Sequence, residues 1–365
     1  MRTALLSIAI VLAGLLVLLA LESSPEPKQD VSVTTLAHRV ETLRGLRFRR
    51  VPVPVKVSGE VARREGLEDL DRSYPAARRH ADEAILRRLG LIDPGVDLRA
   101  LSASLYGEGG VAGYYDPRSK RLRVVTGAAT GSRVLQEVTL AHELTHALED
   151  QRFGLSPEEG SNDDRALARL ALIEGSATVV MERYLLRYFS AEEALAGVLG
   201  SAFSTGPDLP PFLQAQLLFP YTGGMTFVQE LRQRAGGRWT LVDLADRVRP
   251  PDSTEQVLHP EKYLRVEEPL PVSLDAHLGA GWRRAASGVW GEWATSELVG
   301  EQAAAGWGGD RYELWQRGGQ RWLAMRWRWD TRRDARESLA AVRERLKPTR
   351  VTASGDAVTL VWATP

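Results

Sequence analysis

The sequence predicts an α+β protein: a mainly helical region carrying a small β-hairpin, followed by a smaller Trp-rich α+β domain. Three observations predict it. Long apolar patterns at helical spacing dominate residues 60–248. One hairpin-like stretch, GVAGYYDPRSKRLRVV at 110–125, interrupts them. Beyond residue 270 the composition changes, because nine of the ten tryptophans lie there and strand-like runs appear. The 365 residues suffice for two ordinary domains, and 44% apolar with 26% charged residues is a folded composition.

The elements follow in order. Ala4 to Leu21 is an uncharged apolar run of 18 residues, which as a helix is about 27 Å long, near the hydrocarbon thickness of a bilayer. Arg2 precedes it, and Glu22 and Glu26 follow. This predicts a transmembrane signal anchor over 1–21, or a cleaved signal peptide, with the bulk of the chain extracytoplasmic at the cell membrane or secreted. Residues 22–50 read as a polar linker and an N-terminal helix. Residues 51–57 (VPVPVKV) read as a short edge strand, given their prolines.

Residues 60–104 are helical in pattern, with Gly90 and Pro94 as stop signals. In the hairpin, Asp116-Pro117-Arg118-Ser119 supplies the turn. Helices are expected near 132–151, 163–189, 209–235 and 239–248, completing a domain over 51–269. In 270–365, RYELWQR, RWLAMRWRW and AVTLVWA read as strands, and RRDARESLAAVRERL as a helix before the last. The tryptophans there read as core, with a ligand platform as the alternative.

Composition narrows the chemistry. Lys plus Arg and Asp plus Glu are both 47, so no basic excess points to nucleic acid. Cysteine is absent, which excludes disulfides, thiolate metal sites and a cysteine nucleophile. Any reaction must run on oxygen and imidazole groups.

Those groups converge at Ala141-His142-Glu143-Leu144-Thr145-His146, an H-E-x-x-H sequence. Four residues apart on a helix, His142 and His146 project from one face and suit a shared zinc ion, one per chain. Glu143 is offset and placed to act as a base. Val134, Val138, Ala141, Leu144 and Leu148 form an apolar stripe, so the motif lies on an amphipathic helix. The alternative is two surface histidines on a solvated face.

A catalytic zinc needs a third protein ligand. The extended form of the motif would place a glycine three residues after the second histidine and a further histidine three beyond that, but Glu149 and Arg152 stand there. Glu174 falls on the apolar stripe of the 163–189 helix, where a lone carboxylate would be costly and a cation would offset that cost. Gly175 beside it would let this helix pack closely on the H-E-x-x-H helix. Pairing with an arginine or lining a wet cleft is the alternative for Glu174. Glu182, Asp163 and Asp164 neighbour charged residues and read as solvated.

The stretches AHELTHALED and IEGSAT resemble the gluzincin zinc metallopeptidases. More closely, the chain resembles prokaryotic surface proteins with a YYDP-type hairpin, HELTHALEDQ, an EG-x-A helix and STEQVLHPEKY, over roughly residues 100–265. The resemblance implies a zincin-like catalytic domain with His142, His146 and Glu174 as ligands and Glu143 as base, hydrolysing peptide or protein substrates. Tyr221 and His259 are candidate donors to the developing oxyanion, and the hairpin a candidate edge for an extended substrate. Two features depart from the pattern. His146 and Glu174 are 28 residues apart, and Thr178 stands where an orienting Asp is usual, leaving Asp150 or a backbone carbonyl to orient a ligand histidine. A cell-wall amidase, or a surface binding protein with a structural metal site, are the alternative functions.

Overall fold

A computed structural model describes residues 31–105, 113–126, 133–155, 162–194, 209–274, 276 and 278–363. It is α+β, as the sequence predicts. The first described helix, α1 (Val33–Arg44), starts where the Ser32 hydroxyl accepts the Thr35 amide and ends at Gly45, whose φ is 76°. β1 (Val55–Ser58), α2 (Gly59–Ser73), α3 (Ala76–Arg88) and α4 (Leu98–Leu105) follow, then the hairpin of β2 (Gly113–Asp116) and β3 (Arg121–Thr126). At its turn the Asp116 carboxylate accepts the Arg118 amide.

The first sheet has the order β1-β3-β2. β2 pairs antiparallel with β3, with Tyr115 opposite Leu122. β1 is an edge strand as expected, but it starts only after Pro54 and runs parallel to β3. A parallel pair needs a long crossover, and α2 to α4 lie within it. β2 is the other edge and lies against the H-E-x-x-H helix.

That helix is α5 (Arg133–Phe153), followed by α6 (Asp163–Tyr188), α7 (Pro211–Arg234), α8 (Thr240–Arg247), α9 (Thr254–Leu258) and α10 (Pro260–Arg265). The predicted stripe on α5 is core: Val138, Ala141, Leu144 and Leu148 pack with Leu36 and Val40 of α1 and Val180 of α6. α6 is buried all round in its middle turns, with every residue from Leu170 to Val180 buried. The expected role of Gly175 is corrected. A Cβ at Gly175 would come 2.2 Å from Gly224 of α7, and one at Gly224 would come 2.0 Å from the Ala171 carbonyl oxygen. Gly175 therefore serves backbone contact with α7 rather than with α5. Asp164 is also corrected from solvated to buried, its carboxylate accepting the Thr254 amide and hydroxyl.

The C-terminal region holds β4 (Arg283–Gly288), α11 (Gly291–Val299), α12 (Glu301–Ala304), β5 (Trp307–Arg317), β6 (Gln320–Trp329), α13 (Arg332–Leu346), β7 (Arg350–Ser354) and β8 (Ala357–Ala363). Its sheet is antiparallel in the order β4-β5-β6-β8-β7. Trp327, Trp329, Val358 and Trp362 pack with Val342 and Leu346 of α13 on one face. Ala81, Ala84 and Ile85 of α3 complete that cluster, and Trp293 stacks on Phe219 of α7 at 5.2 Å. The two regions thus interlock across residue 270.

The expected membrane anchor is corrected. Among the described residues no helix is long and apolar enough to cross a membrane. The two longest helices, α6 and α7, are interrupted by charged residues such as Arg169, Glu174, Glu230 and Arg232. The expected single-pass, cell-membrane placement is withdrawn with the anchor. The run Ala4–Leu21 that carried it lies outside the described residues.

Candidate metal centre

His142, His146 and Glu174 meet where α5 crosses α6. Their buried donor atoms form one group able to hold a metal ion. The two histidine Nε2 atoms are 2.9 Å apart. Glu174 Oε2 is 3.1 Å from His142 Nε2 and 3.4 Å from His146 Nε2. Tetrahedral zinc with bonds of about 2.0–2.1 Å separates its ligand atoms by about 3.3–3.4 Å, so the triangle needs adjustments of at most about half an ångström. The donor set also fits chemically. Two imidazole nitrogens face one another, and Glu174 Oε1 is buried with no hydrogen bond among the described residues. A cation satisfies both conditions; among the described residues Glu174 pairs with the two histidines and with no arginine.

Without a cation, the four buried groups shift one another's protonation. Burial pushes the Glu174 carboxyl up, but the charge and hydrogen bonds of His146 and His142 prevail and hold it at about 2. Burial lowers His146, yet Glu174, with Glu143 and Glu149, raises it to about 9. His142 is depressed by burial and by the neighbouring His146. Glu143 is lifted to about 8, first by burial and then by the Glu174 charge, against His146 and the Tyr115 amide.

The Tyr115 contact was not foreseen from sequence. The Tyr115 amide on β2 donates to Glu143 Oε2 at 2.7 Å, fixing one carboxylate oxygen and leaving Oε1 without a hydrogen bond among the described residues. The Tyr115 hydroxyl donates to Asp150 at 2.6 Å, and Lys120 adds a second tie at 2.7 Å. The hairpin is thus fastened to α5 at two points seven residues apart. This also corrects the expectation for Asp150, whose carboxylate is taken up by Tyr115, Lys120 and the Leu155 amide rather than by a ligand histidine.

Behind the centre lies a buried ionic network. Arg44 of α1 donates to Glu149 at 2.5 Å and pairs with Asp243 at 2.8 Å, its guanidinium 4.3 Å from the Trp239 ring. Ser176, two residues after Glu174, also donates to Glu149. The network joins α1, α5, α6 and α8, and it ties together the two helices that carry the candidate ligands. The residues are too far apart in sequence for any local signal to reveal it.

Of the two candidate donors, the structure brings Tyr221 to the centre, its ring stacked 6.1 Å from His142. His259 is held elsewhere, with Nε2 3.0 Å from Glu292 of the C-terminal region. That region is the part recognised by comparison: a family model described as a domain of unknown function (DUF8575) matches residues 272–365. No curated protein and no solved structure matches the chain. The candidate metal centre lies outside the matched residues.

Proposed function

We propose that the chain is a zinc-dependent hydrolase of peptide bonds, with His142, His146 and Glu174 as ligands and Glu143 as general base. The observation that carries this reading is the buried convergence of three metal-binding donors with a carboxylate that is not one of them. A purely structural site needs the ligands but gives Glu143 no task.

Zinc supplies Lewis acidity, polarising a carbonyl and acidifying water. Glu143, with Oε2 held by the Tyr115 amide, takes the water proton on Oε1 and delivers it to the departing amine nitrogen. Tyr221 donates to the developing oxyanion. In β2 the Tyr115 amide points away from β3, so the strand presents an open edge beside the base. An extended substrate backbone pairs along that edge beyond Tyr115, whose amide stays on Glu143.

One observation favours a second reading. His142, Glu143, His146 and Glu174 are all 3% exposed or less, as in a structural metal site. Zinc content and casein hydrolysis distinguish the two. The proposal expects one zinc per chain, hydrolysis abolished by a chelator and restored by zinc, and a Glu143→Gln variant that keeps its zinc but loses about 10²-fold or more in rate. Stoichiometric zinc without hydrolysis of any peptide library would leave the structural reading. A folded wild type that takes up no zinc would refute both.

A further inference from the structure

The C-terminal sheet divides its tryptophans between two faces. Trp327, Trp329 and Trp362 are buried beneath α13, as the sequence suggests. Trp315 and Trp322, directly opposite each other on β5 and β6, point the other way, because successive strand residues alternate faces. Both are only half-buried. α3, α11 and α13 pack on the Trp327 face, and on the Trp315 face Arg311, Trp315, Trp322 and Arg326 are each partly exposed.

Arg311 and Arg326 stand on this face, again directly opposite each other. Neither has an ion pair among the described residues, and the contact shown for Arg311 is the Ser287 hydroxyl at 3.4 Å. Like charges in opposed positions cost a sheet free energy, and an anion bound between them would remove that cost. Between the arginine pair and the tryptophan pair lies Glu313, its two oxygens held by Arg284 and the Trp315 indole. The arginine and tryptophan pairs are four residues apart along the strands, about 13 Å.

We propose that this face binds an acidic oligosaccharide, with a sugar carboxylate on Arg311 and Arg326 and an uncharged sugar ring stacked on Trp322, beside Trp315, whose ring carries the Arg284 guanidinium at 5.9 Å. Guanidinium groups suit carboxylates, and indole faces suit the flat apolar faces of sugars. Glu313 selects among polyanions. A nucleic-acid strand, with a phosphate on every unit, would set negative charge over that carboxylate. A glycan alternating acidic and neutral sugars places hydroxyl donors there instead. An acidic peptide is disfavoured because a sheet face offers no open backbone groups to an extended chain. The inference is independent of the metal centre.

Calorimetric titration of the full chain with a hyaluronan octasaccharide tests it, beside a neutral chitin octasaccharide, an eight-nucleotide oligouridine and octaglutamate. The expected result is saturable binding of hyaluronan, at least tenfold tighter than the other three. Arg326→Glu and Trp322→Ala should each weaken it at least tenfold with an unchanged unfolding temperature. If either variant unfolds, Arg326→Gln carries the same expectation. No hyaluronan binding, binding indifferent to Arg326, or tighter binding of oligouridine or octaglutamate would overturn the proposal.

Discussion

Gly224→Ala should separate the two helices that position Glu174 and Tyr221. A Cβ at Gly224 would lie 2.0 Å from the Ala171 carbonyl oxygen and 2.8 Å from its carbon, where ordinary contact begins at 3.4 Å. The obstacle is helix backbone, which cannot rotate aside as a side chain does, so α6 and α7 must part by about 1 Å or more in a close-packed core. Overpacking of this kind costs about 1–3 kcal/mol, and a rigid backbone contact belongs at or above the upper end. The better helix propensity of alanine returns about 1 kcal/mol. The net expectation is a loss of about 2 kcal/mol, roughly a thirtyfold shift toward the unfolded state. Urea denaturation reads it as a lowered midpoint with an unchanged slope. Gly59→Ala is the control, since nothing lies within 4 Å of its Cβ position and its φ is not positive. A Gly224→Ala protein as stable as wild type, or more stable, would show that the two backbones are not in contact.

Arg44→Ala should cost about 3–5 kcal/mol, because it leaves Glu149 and Asp246 buried without their cation; a change below about 1 kcal/mol would show the network to be hydrated. Asp164 gives a pH signature. Burial, with the charges of Asp310 and Glu255, raises its carboxyl from 3.8 to about 8 against the hydrogen bonds from Thr254. The folded state therefore holds a proton that the unfolded state releases, so this contribution is complete below about pH 4 and is lost as pH rises to about 8. Asp164→Asn keeps an acceptor for Thr254 and cannot titrate. Its stability should fall less than that of wild type between about pH 4 and 8, by a few kcal/mol. Parallel curves for the two proteins would refute the assignment. If the wild type takes up zinc as proposed, Glu174→Ala should abolish that uptake by elemental analysis while the fold persists by circular dichroism; unchanged uptake would mean a different third ligand.

Periodic features were legible from sequence. The H-E-x-x-H helix, the buried Glu174 and the hairpin all rest on spacings of about two to seven residues, which the backbone geometry of one element fixes without outside help. The late strands and α13 were legible for the same reason. β4 and β7 were not, because short Arg-, Ala- and Ser-containing runs carry no clear alternation and become strands by pairing with β5 and β8. Their identity belongs to the sheet rather than to the segment.

The sequence by itself determined which residues could bind a metal and on which faces of their helices they stand. Only the tertiary structure decided how those faces meet. Glu174 reaches the histidines because glycines let α6 and α7 touch backbone to backbone and because Arg44, Glu149 and Ser176 hold α5 against α6. Tyr115 reaches Glu143 through a backbone amide, a group every residue but proline possesses and no residue type advertises. Tyr221 and His259 looked equivalent as isolated polar residues, and packing set one beside His142 and the other on Glu292. Contacts between segments far apart in the chain depend on the positions of both partners, and local spacing carries information about one at a time.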